Sequence, residues 1–374
     1  MNGQAEIAAK TERLVRLLGA ERLGGVLLCA QHNFSWLTAG GTNGVDTSRD
    51  AGACALLVRA DGRRFVLASR IEMPRLLAEE ISAAEFEPVE FGWEAEKAAP
   101  TFLADRAAAL LEGGAPLGSD LPLGADVRTV EGLIARCRYQ LTDAELERYR
   151  ALGRDAGAAL GELMRRLEPG ESETEITRRA SDALAARDMR GVVMLVAADE
   201  RLAQFRHPVP TARRWERVLM VVACARRGGL VASLTRIVCA GAISEELRRR
   251  TDAAARVNAQ LLAATRPATS GAELYEVASR AYAAEGFAGE EHLHHQGGAC
   301  GYRTRDWVAH PACAERVQAG QAFAWNPSIT GTKVEETCVV FADEAETITT
   351  TTGWPQISVE LHGRAYLSPD VLTL

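Results

Sequence analysis

Three of the chain's seven histidines, His292, His294 and His295, fall within four positions, and the run continues through Gln296, Gly297, Gly298, Tyr302, Arg303 and Arg305. Imidazole moves protons near neutral pH or holds a metal. Adjacent glycines let backbone and ligand approach where a Cβ would collide. The run is internal, between a helical segment and strand-like stretches, so it reads as a site and not as a terminal tag. A further histidine stands in His207-Pro-Val-Pro-Thr211. Two prolines in three positions forbid helix and stiffen a loop, which is a good way to aim an imidazole. Polar groups are also set into apolar strands: Ser233, Thr235 and Arg236 within Leu230–Ala240, Asn326 after Ala322-Phe-Ala-Trp, and Glu335 and Glu336 before Thr337. A carboxylate embedded in an apolar strand needs a cation or hydrogen-bond donors nearby.

The elements that must carry these residues form two blocks. The first alternates helix and strand: a helix over 6–19, strands at 25–30, 53–59 and 64–69, helices over 71–80 and 94–112, and strands at 85–91 and 116–121. At Thr142 the texture changes. Thr142 with Glu145 three residues on makes a capping box that opens a long amphipathic helix to about 167. Pro169, Ser172 and the pair Glu175-Ile176 then recur as Pro267, Ser270 and Glu273-Leu274, all displaced by the same 98 positions. A constant offset argues for an internal duplication, and a cleft between two related halves is a common ligand pocket.

Composition bounds the function. The chain has 374 residues, net charge -7, 25% charged and 47% hydrophobic residues, the profile of a soluble globular protein of two domains. Without a Lys/Arg block, nucleic acid is not the expected partner. No apolar stretch approaches the roughly 20 residues of a membrane span, and the N-terminus lacks the pattern of a secretory signal. Eight scattered cysteines without a CxxC pair fit buried thiols in a reducing compartment, so the expectation is a cytoplasmic protein with a small-molecule substrate.

Taken in order, the duplicated halves, His207-Pro-Val-Pro-Thr211, Thr235-Arg236, His295-Gln-Gly-Gly298, Asn326-Pro327 and Val334-Glu335-Glu336-Thr337 resemble the creatinase/aminopeptidase P superfamily. The resemblance implies a mixed α/β (α+β) chain: a small creatinase-type domain at 1–139 and, at 140–374, a pita-bread catalytic domain of two pseudo-twofold halves. Metal-dependent members bind two divalent ions through two aspartates, a histidine and two glutamates. Those positions fall on Val222, Ser233, His295, Asn326 and Glu335. Three of the five cannot supply a charged oxygen, which hard or borderline divalent ions need in such a site.

The resemblance then implies a creatinase- or ectoine-hydrolase-like enzyme with no metal and no other cofactor. It would cleave a C–N bond in a small amino-acid-like amidine, guanidine or cyclic amide. His207 would be the acid/base catalyst, His295 and Asn326 would steady the oxygen that gains charge, and Glu335 would anchor a cationic group. Ser233, His294, Tyr302, Arg303 and Arg305 would also face the substrate, Arg305 as a carboxylate anchor or as the partner of Asp306 or Glu335. In a homodimer, Asn33-Phe34 and residues 47–50 would act as a lid, with Arg49 supplied to the partner's site. The alternatives are a non-catalytic peptide- or small-molecule-binding protein and an Xaa-Pro metallopeptidase.

Overall fold

Alternating β-rich and helical sequence in the first block builds a six-stranded mixed sheet. The computed structural model describes residues 3–374, and these divide into two compact units, one reaching to Arg138 and including Thr142–Glu145, the other holding Tyr139–Leu141 and Leu146–Leu374. In the first unit the fully buried strand Gly25–Ala30 pairs antiparallel with Ala51–Arg59 and parallel with Leu117–Ser119. Arg64–Ser69 returns beside Ala51–Arg59 through a turn whose Gly62 takes φ +85°. The helix expected over 94–112 is two, Trp93–Ala98 and Phe102–Ala108, because Pro100 between them has no N–H to donate and its ring clashes with the preceding turn, leaving Ala99 before it extended.

Two of the residues expected in a lid are interior. Asn33 and Phe34 are wholly buried. The Asn33 amide donates to Asp120 and to Glu131, each at 2.8 Å, and Glu131 also takes His32 at 3.1 Å and Arg138 at 3.0 Å. Asn33 therefore holds the interior of its own unit. Residues 47–50 are exposed, and Arg49 lies 3.6 Å from Asp46.

The long helix is Asp143–Met164, its start counted with the first unit and the rest, from Leu146, with the second, and Thr142 and Glu145 exchange the two bonds of a capping box. It presses close to the segment after Thr347. A Cβ at Gly153 would stand 2.2 Å from the Ile348 carbonyl oxygen, and one at Gly157 2.5 Å from that of Thr350. The duplication is explicit in the backbone. Ser172 and Ser270 each form a full capping box, opening helices Glu173–Ala185 and Gly271–Ala284, and each makes an isolated bridge, to Arg214 and to Arg316. Each half then supplies a sheet: Arg190–Ala198, Val218–Arg227 and Leu230–Cys239 in one, Gly297–Cys300, Gln321–Trp325 and Glu336–Val340 in the other. The sheets meet along Ser233–Thr235. The Ser233 amide donates to the Thr337 hydroxyl at 2.8 Å, and the Thr235 amide to the Glu335 carbonyl at 3.1 Å.

Behind that seam Arg236, almost fully buried, binds Glu336 at 2.8 Å, the Thr349 carbonyl at 2.8 Å and the Thr351 hydroxyl at 2.8 Å. Removing one partner of a buried ion pair strands the other. Arg236→Ala should cost about 3–5 kcal/mol in urea unfolding; a cost under about 1 kcal/mol would show that Glu336 finds water or protonates instead. In the first unit, burial alone would raise the Glu131 carboxyl, but His32 and Arg138 outweigh it and hold it down at about 2. An unfolded glutamate titrates near 4.3, so this contribution is complete above that pH and is lost as pH falls toward 2. Glu131→Gln should remove roughly 2–4 kcal/mol at neutral pH and flatten the melting temperature's dependence on pH between about 5 and 3. An unchanged acid slope would contradict the assignment.

Candidate active site

Loops from both halves aim imidazoles at one cavity of about 120 Å³. His207 comes from the proline-stiffened loop after helix Arg201–Gln204, and His294 and His295 from the turn before strand Gly297–Cys300. His207 Nε2 lies 3.0 Å from His294 Nε2, with the rings crossed at 80°. The cavity is completed by Val193, Leu195, Val222, Cys224, Thr304, Arg305, Asn326, Lys333 and Glu335. The glycines after the histidines serve the sheet and not a ligand. A Cβ on Gly297 would meet the Ala324 carbonyl oxygen at 2.1 Å, and one on Gly298 that of Trp307 at 2.1 Å.

Charge in the cavity is organised around Glu335. Its carboxylate takes Lys333 at 2.8 Å, the Thr235 hydroxyl at 2.7 Å and Arg305 at 3.5 Å. Burial would push this carboxyl up; Lys333 and Arg305 outweigh burial and hold it below the usual carboxylate range. Arg305 also donates to Asn326 Oδ1 at 2.7 Å, and Asn326 Nδ2 donates to the His295 carbonyl at 2.8 Å while standing 3.3 Å from His294 Nδ1. Burial first, and the nearby cations second, keep the imidazoles uncharged. His294 is pushed down to about 2, with Lys333 the main charge, and His295 to about 4, with Arg305 and Lys333. His207 is lowered by burial and Lys333, against an opposing pull from Glu335.

Six of the residues singled out in the sequence therefore share the cavity: His207, His294, His295, Asn326, Glu335 and Arg305. The role expected for one of them changes: Glu335 is already matched by two of the chain's own cations, so it is not an open anchor for a cationic substrate. Arg305 takes the second of its expected places, beside Glu335, and also donates to Asn326. Ser233, Tyr302 and Arg303 do not line the cavity. The Ser233 hydroxyl is buried 3.2 Å from Cys224 Sγ, Tyr302 is packed inside, and Arg303 is at the surface. Arg49 belongs to the other unit. Lys333 was passed over in the sequence, although its spacing of two from Glu335 is the signature of a shared face along an extended segment.

The donor set does not fit a carboxylate-built pair of ions. Val222 offers no donor, the Ser233 hydroxyl faces Cys224, the Asn326 amide is spent on Arg305 and His295, and Glu335 has Oε2 on Lys333 and Thr235 and Oε1 at 3.5 Å from Arg305.

The fold is that of known peptidases. The structure matches an Xaa-Pro dipeptidase from Bacillus anthracis over 98% of this chain and 100% of that one, with 17% identity and a TM-score of 0.75. It matches a prolidase from Thermococcus sibiricus over 100% of both chains, with 16% identity and a TM-score of 0.78. The N-terminal domain of the FACT complex subunit SPT16 from Cicer arietinum also shares the fold, over 93% of this chain and 96% of that one, at 9% identity and a TM-score of 0.69. No curated protein matches the chain in sequence. Among the described residues no helix is long and apolar enough to cross a membrane.

These matches correct the expectation of a metal-independent hydrolase of a non-peptide C–N bond, because the whole-chain likenesses are to Xaa-Pro dipeptidases and prolidases, the second alternative above. Residues 147–346, more than half of the chain, match the family described as metallopeptidase family M24. The chain, a small N-terminal α/β domain followed by a pita-bread domain, belongs to that family of hydrolytic enzymes.

Proposed function

We propose that the chain hydrolyses the amide bond of a dipeptide-sized substrate, of the Xaa-Pro class named for the structures it resembles. The observation that carries this is the convergence of three uncharged imidazoles on a small cavity beside a cationic pair. Family membership supports a hydrolytic reaction, and the whole-chain likeness to Xaa-Pro dipeptidases supports a short peptide. A cavity of about 120 Å³ is smaller than the roughly 300–1,000 Å³ of drug-sized sites, so it takes one residue-sized end of the substrate.

Lys333 and Arg305 against the single charge of Glu335 leave the site net positive while the imidazoles are neutral. That field favours the negative charge that grows on a carbonyl oxygen as water adds to it. The imidazoles present nitrogen lone pairs at neutral pH, the form that accepts a proton from water or returns one to the leaving nitrogen. The eight free cysteines support a reducing, cytoplasmic setting.

A panel of Xaa-Pro and ordinary dipeptides tests this, run on the protein as purified, after chelator, and with Mn²⁺, Co²⁺ or Zn²⁺ added. Turnover of at least one peptide is expected. His207→Ala should lower kcat/KM by about 10²- to 10⁴-fold, mostly in kcat. Peptide binding without turnover under every condition would sink the reading and leave a peptide-binding protein in its place.

A further inference from the structure

Among the described residues, His207, His294 and His295 bring one ligand nitrogen each to within 4.8 Å of one another. Nitrogens bound to one tetrahedral ion at about 2.0–2.1 Å stand roughly 3.3 Å apart. The His207 Nε2 to His294 Nε2 separation of 3.0 Å is already close to that edge. The His207 and His294 rings meet edge to face, with centroids 4.9 Å apart, and His294 and His295 centroids are 4.6 Å apart. Two nitrogens that face each other across 3.0 Å are either sharing one proton or poised around one cation.

We propose that these three imidazoles form a single-ion site for a borderline divalent cation of the Zn²⁺ class, built from nitrogen where the family's metal-dependent members use carboxylates. Three imidazoles without an ionised oxygen suit Zn²⁺, Cu²⁺, Ni²⁺ or Fe²⁺ and disfavour Mg²⁺, Ca²⁺ and Mn²⁺. With His294 bound through Nε2, its Nδ1 carries the proton and stands 3.2 Å from the Ser328 hydroxyl and 3.3 Å from Asn326 Nδ2. Only the hydroxyl can accept it, since the Asn326 amide is a donor that gives to the His295 carbonyl, so Ser328 is the outer contact that fixes this tautomer. Glu335 stays outside the ligand set because its Oε2 is taken by Lys333 and Thr235 and its Oε1 faces the Arg305 guanidinium. The fourth position opens on the cavity beside Lys333 and Arg305. Those cations oppose a bare dication and select an anionic occupant there, hydroxide or the carboxylate of a peptide. The site is that of the proposed hydrolase, and an ion held by all three imidazoles would take the lone pairs that reading uses, so the acid/base role belongs to the ion-free site. The test reads binding and not turnover, so each proposal can fail alone.

Zn²⁺ is titrated calorimetrically into the metal-stripped full chain, and Co²⁺ is followed by its visible ligand-field bands. One ion per chain with tetrahedral Co²⁺ bands is expected. His207→Ala, a change at an exposed loop residue, should weaken binding by at least about 10- to 100-fold, and Ser328→Ala should weaken it by a similar factor through the outer contact. Lys333→Met should tighten binding by removing the repelling charge, and circular dichroism confirms that each variant is folded. Absence of binding, binding unchanged in His207→Ala, or two ions per chain would each overturn the proposal.

Discussion

A buried carboxylate held between two cations of the same chain sets the character of this protein. Glu335 lies at the seam of the two sheets, and Lys333, Arg305 and Thr235 take its charge and its lone pairs. Removing an anion from water is tolerable only with such pairing. Once paired, the carboxylate has little left to offer an ion or a substrate amine. The same two cations help burial keep the histidines neutral. What remains open in the cavity is nitrogen, and the proposed chemistry follows from that.

The duplicated architecture explains why the nitrogens meet. Each half repeats one device, a capping-box serine opening a helix and a bridge back from the Ser172 and Ser270 positions. The loop that carries His207 comes from one copy, and the turn that carries His294 and His295 precedes the first strand of the other copy's sheet. The sheets are held at Ser233–Thr235 by backbone and threonine hydroxyls, with the Arg236–Glu336 pair behind them. The site thus rests on loops and strand ends on both sides of the seam, and the loop that carries His207 is one that its prolines stiffen.

Much of this could be read in the residues. The offset from Pro169 and Ser172 to Pro267 and Ser270 announced two related halves, and both serines cap helices as their chemistry requires. His207, His295, Asn326 and Glu335 were found by type and order, and they share a cavity. The misses have physical causes. Which of Ser233, Thr235, Tyr302 and Arg303 faces the cavity depends on the register between two sheets, and no local pattern carries that. Gly297 and Gly298 looked like space for a ligand, whereas strand pairing against Ala324 and Trp307 takes the room. Pro100 split a helix that amphipathic spacing alone would have run through. Missing carboxylates at Val222, Ser233 and Asn326 imply a different reaction by ligand chemistry alone, whereas the chain's family is one of metallopeptidases.

What the cavity can bind depends on where charge and open donors lie in it. Crystals grown with Zn²⁺ and measured at the zinc absorption edge address it directly. The account predicts one anomalous peak within about 2.0–2.1 Å of nitrogens of His207, His294 and His295, with Glu335 still on Lys333. A peak bridging Glu335 and Asn326, with Lys333 displaced, would contradict it.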